Sequence, residues 1–202
     1  FSCIAVSFSG GAGINDTKTA TYIVSNVASE GQFTDIQTAI DSITGSVGKI
    51  HIKNGTYTIT SPIRINKQFT IIEGEGAGTR INFDGATVPY AFVLNESVQT
   101  ANIVIRDMRI VSTTAGTGIA INGTLMTASI FDNLWILDVN KGFFFNLSGT
   151  HYNIVEDTRI DVEGANSVGV LLDSIANENT LQRLRISTTI DSTGVFINSH
   201  GN

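Results

Sequence analysis

A single cysteine, Cys3, means that no internal disulfide can form, so burial and hydrogen bonding must hold whatever fold the chain adopts. Basic residues are scarce: 12 against 18 acidic ones, a net charge of −6, which excludes the electrostatic footprint of a nucleic-acid binder. No apolar run approaches the length of a membrane span. The three histidines, His51, His151 and His200, lack metal-ligand spacing, and with one cysteine no zinc centre is expected; neither a metal nor a cofactor is implied. The glycines of EGEGAGTR (73–80) are spaced G-x-G-x-G and lead into a strand pattern instead of a helix, which excludes a dinucleotide loop. The chain opens at Phe1 without a methionine, and no basic stretch precedes FSCIAVSF, so a processed or cut N-terminus is expected.

Helix is scarce too. Only the stretch 34–44 reads as one: Thr34 with Gln37 forms a capping box, Phe33, Ile36, Ala39, Ile40 and Ile43 recur at helical spacing, and Gly45 ends it. One helix among many strands excludes a doubly wound sheet, which needs a helix for each crossover. Residues 1–31 read as an N-terminal arm and lead-in strand, with alternating Ile4, Val6 and Phe8, and residues 32–202 as the main domain.

What the chain has in quantity is glycine, 20 residues, and apolar residues, 42% of the total, arranged in a repeat. A phrase of Gly or Ala, apolar, any, apolar, then Asn or Asp reads AFVLN (91–95), GIAIN (118–122), GFFFN (142–146), GVLLD (169–173) and GVFIN (194–198), at steps of 27, 24, 27 and 25 residues. A second phrase keeps step with it: IRDMRI (105–110), FDNLWI (131–136), VEDTRI (155–160) and LQRLRI (181–186), offset by 26, 24 and 26. A unit of that length buries its apolar side only by stacking on its neighbours, so the repeating object is a coil containing at least two strands.

Stacked coils set equivalent residues one above another at about 4.8 Å. Aligning the first phrase puts Phe92, Ile119, Phe143, Val170 and Val195 in the core, with Leu94, Ile121, Phe145, Leu172 and Ile197. Asn95, Asn122, Asn146, Asp173 and Asn198 form a structural ladder at a corner, where Asn tolerates left-handed backbone and amides bond along the stack. Asn95, Asn122 and Asn146 begin N-x-S/T sequons, which an inward ladder would keep from carrying sugar; Asn15 and Asn54, on turns, remain glycosylation candidates. The outward positions are Val93, Ala120, Phe144, Leu171 and Phe196, an apolar stripe that asks for a cover, either the N-terminal arm or another subunit.

The succession FTDIQTAIDSI, GKIHIKNGTYTI, SPIRI and FTIIEGEGAGTRI (33–81) resembles the N-terminal cap and first coils of the pectin-lyase-like right-handed parallel β-helix superfamily. The resemblance covers about residues 30–85 in wording and the remainder in repeat pattern. It implies an all-β, single-stranded right-handed parallel β-helix, or solenoid, of five to six coils with one short N-terminal capping helix. It also implies acidic polysaccharides as the substrate class. Catalytic motifs do not come with it: no pectate-lyase or pectin-esterase segment is found, and of the polygalacturonase motifs only Ser199-His200-Gly201 is faintly similar to one.

The second phrase offers the site candidates. Its outward column of Arg109, Trp135, Arg159 and Arg185 has the composition of a glycan-binding surface, indole on a sugar face and arginine on hydroxyls or carboxylates; the plainer alternative is a solvated face with ion pairs. Beside it run Arg106, Asp132, Glu156 and Gln182, and Asp107, Asn133, Asp157 and Arg183. Asp132 with Glu156, on adjacent coils, is the best acid pair, and Asp157 adjoins it; these are the catalytic candidates for a glycosidase, against an exposed carboxylate pair relieved by Arg106 and Arg159. GVFINSHGN (194–202) ends within a coil, which is read as an uncapped or truncated end. The expected function is a structural or adhesive subunit of an extracellular, cell-surface or virion assembly such as a fibre, tailspike or filament. As a homo-oligomer or polymer it packs through the apolar stripe. The alternatives are a polysaccharide lyase or hydrolase and a non-catalytic glycan-binding module.

Overall fold

The computed structural model describes residues 20–45, 47–94, 100–146, 150–174, 176 and 178–199. Asn15, Asn95, His200 and the arm residues Ile4, Val6 and Phe8 lie outside them.

The chain is a right-handed parallel β-helix, and every strand pair among the described residues is parallel. Each coil runs over three faces. The first face stacks Ala20–Val24, Gly48–Ile52, Thr70–Glu73, the first halves of Val104–Ser112 and Ile130–Val139, then Ile154–Glu156 and Thr180–Gln182. The second stacks Gly55–Ile59, Thr79–Phe83, the second halves of the same two long strands, Arg159–Val162 and Arg185–Thr188. The third has six rungs: Ile63–Ile65, Tyr90–Leu94, Ile119–Thr124, Lys141–Asn146, Val168–Ser174 and Thr193–Ser199.

The corners follow from backbone chemistry. Between the first and second faces, Asp107, Asn133, Asp157 and Arg183 all have φ near +50°. Three of the four are Asp or Asn, the residues that enter left-handed backbone most readily after glycine. The corner before the first face stacks Phe69, Asn102, Ala128, Tyr152 and Glu178, again with positive φ, linked by backbone bonds such as Tyr152 N–H to Glu178 O at 3.1 Å.

Helix Ile36–Asp41 packs against Ala20–Val24, Gly48–Ile52 and Ile63–Ile65 through buried Ile36, Ala39 and Ile40. It is shorter than the 34–44 expected, and its cap is Asp35, not Thr34. The Asp35 carboxylate accepts from Thr38 N–H at 2.7 Å, a stronger acceptor at that position than a hydroxyl. Gln37 does not reach back to the cap. It exchanges hydrogen bonds with the Arg64 backbone at 2.7 and 3.2 Å and so fastens the helix to the third face.

Inside the stack Phe131, Phe143 and Phe145 form a cluster with ring centroids 5.4 to 5.8 Å apart. All three are fully buried. Beside them runs an amide ladder inside the coil: Asn153 Nδ2 donates to Asn179 Oδ1 at 2.9 Å, and Asn153 Oδ1 accepts from Ser129 N–H at 3.0 Å.

The third face departs from the sequence alignment at one coil. Phe92 lies opposite Ile121 and Ile121 opposite Phe143, so GIAIN is displaced by two residues and Ile119 faces Tyr90 and Lys141. The reason is Gly118. It has φ +74° and serves as a corner, where a Cβ would meet the Phe83 ring at 2.5 Å, whereas Gly142 lies within a strand. Three expectations change. Ala120 is fully buried and stands at the Gly142 position, so it is not part of the outward stripe. Asn122 takes its place there, between Val93 and Phe144. Asn122 therefore leaves the corner ladder, and Thr124 stands opposite Asn146.

Candidate functional site

The register of the second phrase places the site candidates. Arg80, Arg109, Trp135, Arg159 and Arg185 occupy one outward column of the second face, on five successive rungs. The sequence reading included the last four. Arg80 was missed because its strand, TRINF, lies before the repeating phrase; the turn EGEGAG leading into it was the available signal.

Arg109 lies over the Trp135 ring, with Cζ 4.9 Å from the centroid, and Trp135 remains 39% exposed. That is a cation–π stack with the indole edge open to solvent. Arg159 pairs with Asp161 two residues along its own strand at 2.7 Å. Arg80 donates from Nε to Asn82 Oδ1 at 2.7 Å. Among the described residues, Arg80, Arg109 and Arg185 have no carboxylate partner, and Arg109 Nε is buried without an acceptor. Arg80 faces Arg109, and Arg159 faces Arg185, in adjacent register. Like charges directly opposite in a sheet destabilise it.

The neighbouring column on the first face is neutralised. Glu73 is ringed by Lys49 at 2.6 Å, Arg106 at 2.8 Å and His51 at 3.2 Å. Burial alone would raise its pKa, but the hydrogen bonds from Lys49, Arg106 and His51 outweigh it and bring the value to about 2. His51 also meets Glu75 through Nε2 at 3.1 Å.

Asp132 and Glu156 are opposite one another on adjacent rungs. Glu156 Oε2 accepts from Gln182 Nε2 at 2.6 Å and from Arg183 Nη2 at 2.7 Å. Asp157 is bound by the same Arg183 at 2.6 and 2.8 Å, which lowers its pKa. Asp132 is different. Burial, then the facing Glu156, Asp107 and Asp157, push its carboxyl upward, with Arg106 pulling the other way. Arg106 is near the pair as expected, but Arg159 is engaged with Asp161, and the relief comes from Arg183 instead. No group of described His, Cys, Asp or Glu residues has a geometry that would hold a metal ion.

On the third face the outward column is Arg64, Val93, Asn122, Phe144, Leu171 and Phe196, apolar from Val93 onwards except for Asn122. Its exposure is graded: Val93 is 1% exposed, Phe144 and Leu171 are half-buried, and Phe196 is 48% exposed. Asn122 is buried, and its Oδ1 has no hydrogen-bond partner. Among the described residues the corner ladder shows the link from Asn198 Nδ2 to Asp173 Oδ1 at 3.0 Å. It is not inward: Asp173 and Asn198 line the outer surface with Leu171 and Phe196, as the period of two in a strand requires. Asn54 is exposed at a turn, and its backbone N–H donates to Glu75 Oε2 at 2.8 Å.

Neither protein-family models nor curated proteins give a match to the chain. Solved structures do. A protein of Geobacillus virus E2 (ORF18) is 19% identical with a TM-score of 0.50, covering 81% of this chain and 36% of its own. The chain thus spans about a third of that protein's length. The pectin methylesterase of Erwinia chrysanthemi is 16% identical with a TM-score of 0.52, over 92% of this chain and 68% of its own. Another pectin methylesterase, in complex with a hexasaccharide, is 13% identical with a TM-score of 0.56, covering 86% of this chain and 68% of its own. At these identities the likeness is one of fold alone, the parallel β-helix.

Proposed function

We propose that the chain is a glycan-binding, adhesive β-helix that holds an anionic polysaccharide along the Arg80–Arg185 column, as part of an extracellular or virion-surface assembly. The observation that carries this reading is a column of four arginines and Trp135 on successive rungs, with a single carboxylate partner among the described residues, in a chain of net charge −6. Facing arginines repel, and Arg109 Nε is buried without an acceptor. An anionic ligand relieves the repulsion between the facing arginines, and the open edge of Trp135 offers a sugar ring a stacking surface. The virus protein and the hexasaccharide-bound esterase, which share the fold, make a surface or saccharide context reasonable. Assembly rests on the third face, whose half-buried Phe144 and Leu171 lead to exposed Phe196.

The test is a glycan array comparing polygalacturonate, dextran sulfate and neutral dextran. The chain is expected to retain the two polyanions and not the dextran, and Trp135→Ala to lose most of that retention. Equal retention of all three, or none, overturns the reading. For assembly, light scattering after size exclusion should report a mass above 21.5 kDa for the chain; a strict monomer rejects it.

A second reading, cleavage of the bound polysaccharide, is favoured by the unequal pair of Asp132 and Glu156. One carboxyl is pushed towards the protonated form, and the other is held between Gln182 and Arg183. New reducing ends or unsaturated products from polygalacturonate, abolished in Glu156→Gln, would support it. Their absence leaves the binding reading alone.

A further inference from the structure

Beside its compensated charges, the first face carries a second outward column. Ile71, Val104, Ile130 and Ile154 stand opposite one another on four successive rungs, each half-buried, while the next residue on each strand points into the core. Lys49 precedes the column and Thr180 follows it, so it lies within the stack and not at an end. A strand buried on one face only would carry polar residues at these positions. The corner beside the column has the same character. Phe69, Asn102, Ala128 and Tyr152 occupy it on the same four rungs, all in left-handed backbone. Asn102 suits that backbone; Phe69 and Tyr152 are bulky residues strained there, and they remain 44% and 57% exposed. Neither backbone preference nor core packing accounts for the two rings, which stand three rungs, about 14 Å, apart with smaller residues between them. On the other side of the column are Arg106, on the Val104 rung, and Asp132, on the Ile130 rung. Asp132 has no ion pair among the described residues and is faced by Glu156, Asp107 and Asp157.

We infer that this face binds a second copy of the chain, antiparallel, about a two-fold axis that runs along the strands between the Val104 and Ile130 rungs. That operation sets Val104 against the partner's Ile130 and Ile71 against the partner's Ile154, so the aliphatic column covers itself. Phe69 and Tyr152 are equally far from the axis, so each ring meets the other kind on the partner, twice by symmetry. Arg106 comes to the partner's Asp132; its guanidinium, bonded to Glu73 through Nη2, keeps further donors for a second carboxylate. A parallel pairing, with the two-fold along the coil axis, would set Phe69 and Tyr152 on the partner's Glu73 and Glu156 and leave Asp132 without a cation. The patch is smaller than a standard interface, so the association is weak. It uses a face that neither the arginine column nor the third-face assembly involves, and it stands without either.

The test is cysteine crosslinking of the whole chain with Cys3→Ser as background, using a bismaleimide whose reach matches the roughly 10 Å between facing sheets. A mixture of Ile71→Cys and Ile154→Cys proteins is expected to give a crosslinked pair of twice 21.5 kDa, at least about fivefold more than either protein alone. Tyr152→Asn, which relieves the backbone strain and keeps the fold, should weaken association about tenfold by sedimentation equilibrium, because a ring contact is lost twice in the pair. Phe196→Ser, on the third face, should leave the crosslink unchanged. No crosslink in the mixture, equal crosslinking of either protein alone, indifference to Tyr152→Asn, or loss of the crosslink in Phe196→Ser would overturn the inference.

Discussion

On the second face the outward column presents arginine, arginine, tryptophan, arginine and arginine to solvent. On the third, above Arg64 of the first rung, the equivalent column presents valine, asparagine, phenylalanine, leucine and phenylalanine, graded from buried Val93 to half-exposed Phe196. Coil stacking multiplies whatever a position carries, because every rung repeats it at about 4.8 Å. A column of like charges accumulates repulsion, and a column of apolar groups accumulates surface that water disfavours. The first face shows what a self-sufficient column looks like: Glu73 with Lys49, His51 and Arg106, and Glu156 with Gln182 and Arg183. The second and third faces lack such internal compensation, which is why both read as surfaces for something else.

The sharpest way to break the distinction between inward and outward columns uses two consecutive residues. Phe145→Ala should cost about 3–5 kcal/mol by urea denaturation, whereas outward Phe144→Ala should cost about 1 kcal/mol. Equal losses would mean that the third face is covered as thoroughly as the core. Next, Glu73→Gln should cost about 2–3 kcal/mol at neutral pH, since three cationic or hydrogen-bonding partners lose their carboxylate. Because the folded pKa lies at about 2, below the ordinary 4.5, this contribution is fully present above 4.5 and fades as pH falls from there towards 2. The difference between wild type and variant should therefore shrink in denaturation curves at acid pH; a constant difference would put the effect in packing. Asn153→Ala should cost about 1–3 kcal/mol by leaving Ser129 N–H without its acceptor. The smallest effect is expected at Asn122→Val, a gain of a few tenths to about 1 kcal/mol, because it removes an unpaired buried oxygen from an apolar column. A loss there would reveal a hidden donor.

The second phrase was legible in the sequence because its residue types are distinctive and its coils nearly constant in length. Asp132 opposite Glu156 and Trp135 between Arg109 and Arg159 follow directly from the alignment. The first phrase misled at GIAIN because glycine has two uses. Gly142 and Gly169 are strand residues admitting close neighbours such as Ile160 and Ile186, while Gly118 is a corner. Met126 then fills the space beside Gly123, which stands where the pattern wanted a larger apolar residue. The buried amide ladder was sought at Asn122 and Asn146 but lies at Asn153 and Asn179. Their spacing of 26 residues, two places before the second phrase, carried the signal. Partner choice escaped the sequence for another reason: Arg183 sits in left-handed backbone, and that turn aims it at Glu156 and Asp157.

Isothermal titration of dextran sulfate into the chain and two variants, Arg109→Gln and Arg106→Gln, tests the central claim most directly. Both substitutions remove one positive charge, but Arg106 is already paired with Glu73, whereas Arg109 has no carboxylate partner among the described residues. The account predicts that Arg109→Gln weakens binding about tenfold while Arg106→Gln stays within about twofold of wild type. Equal weakening by both, as a diffuse charge effect would give, or no binding by the wild-type chain, would contradict it.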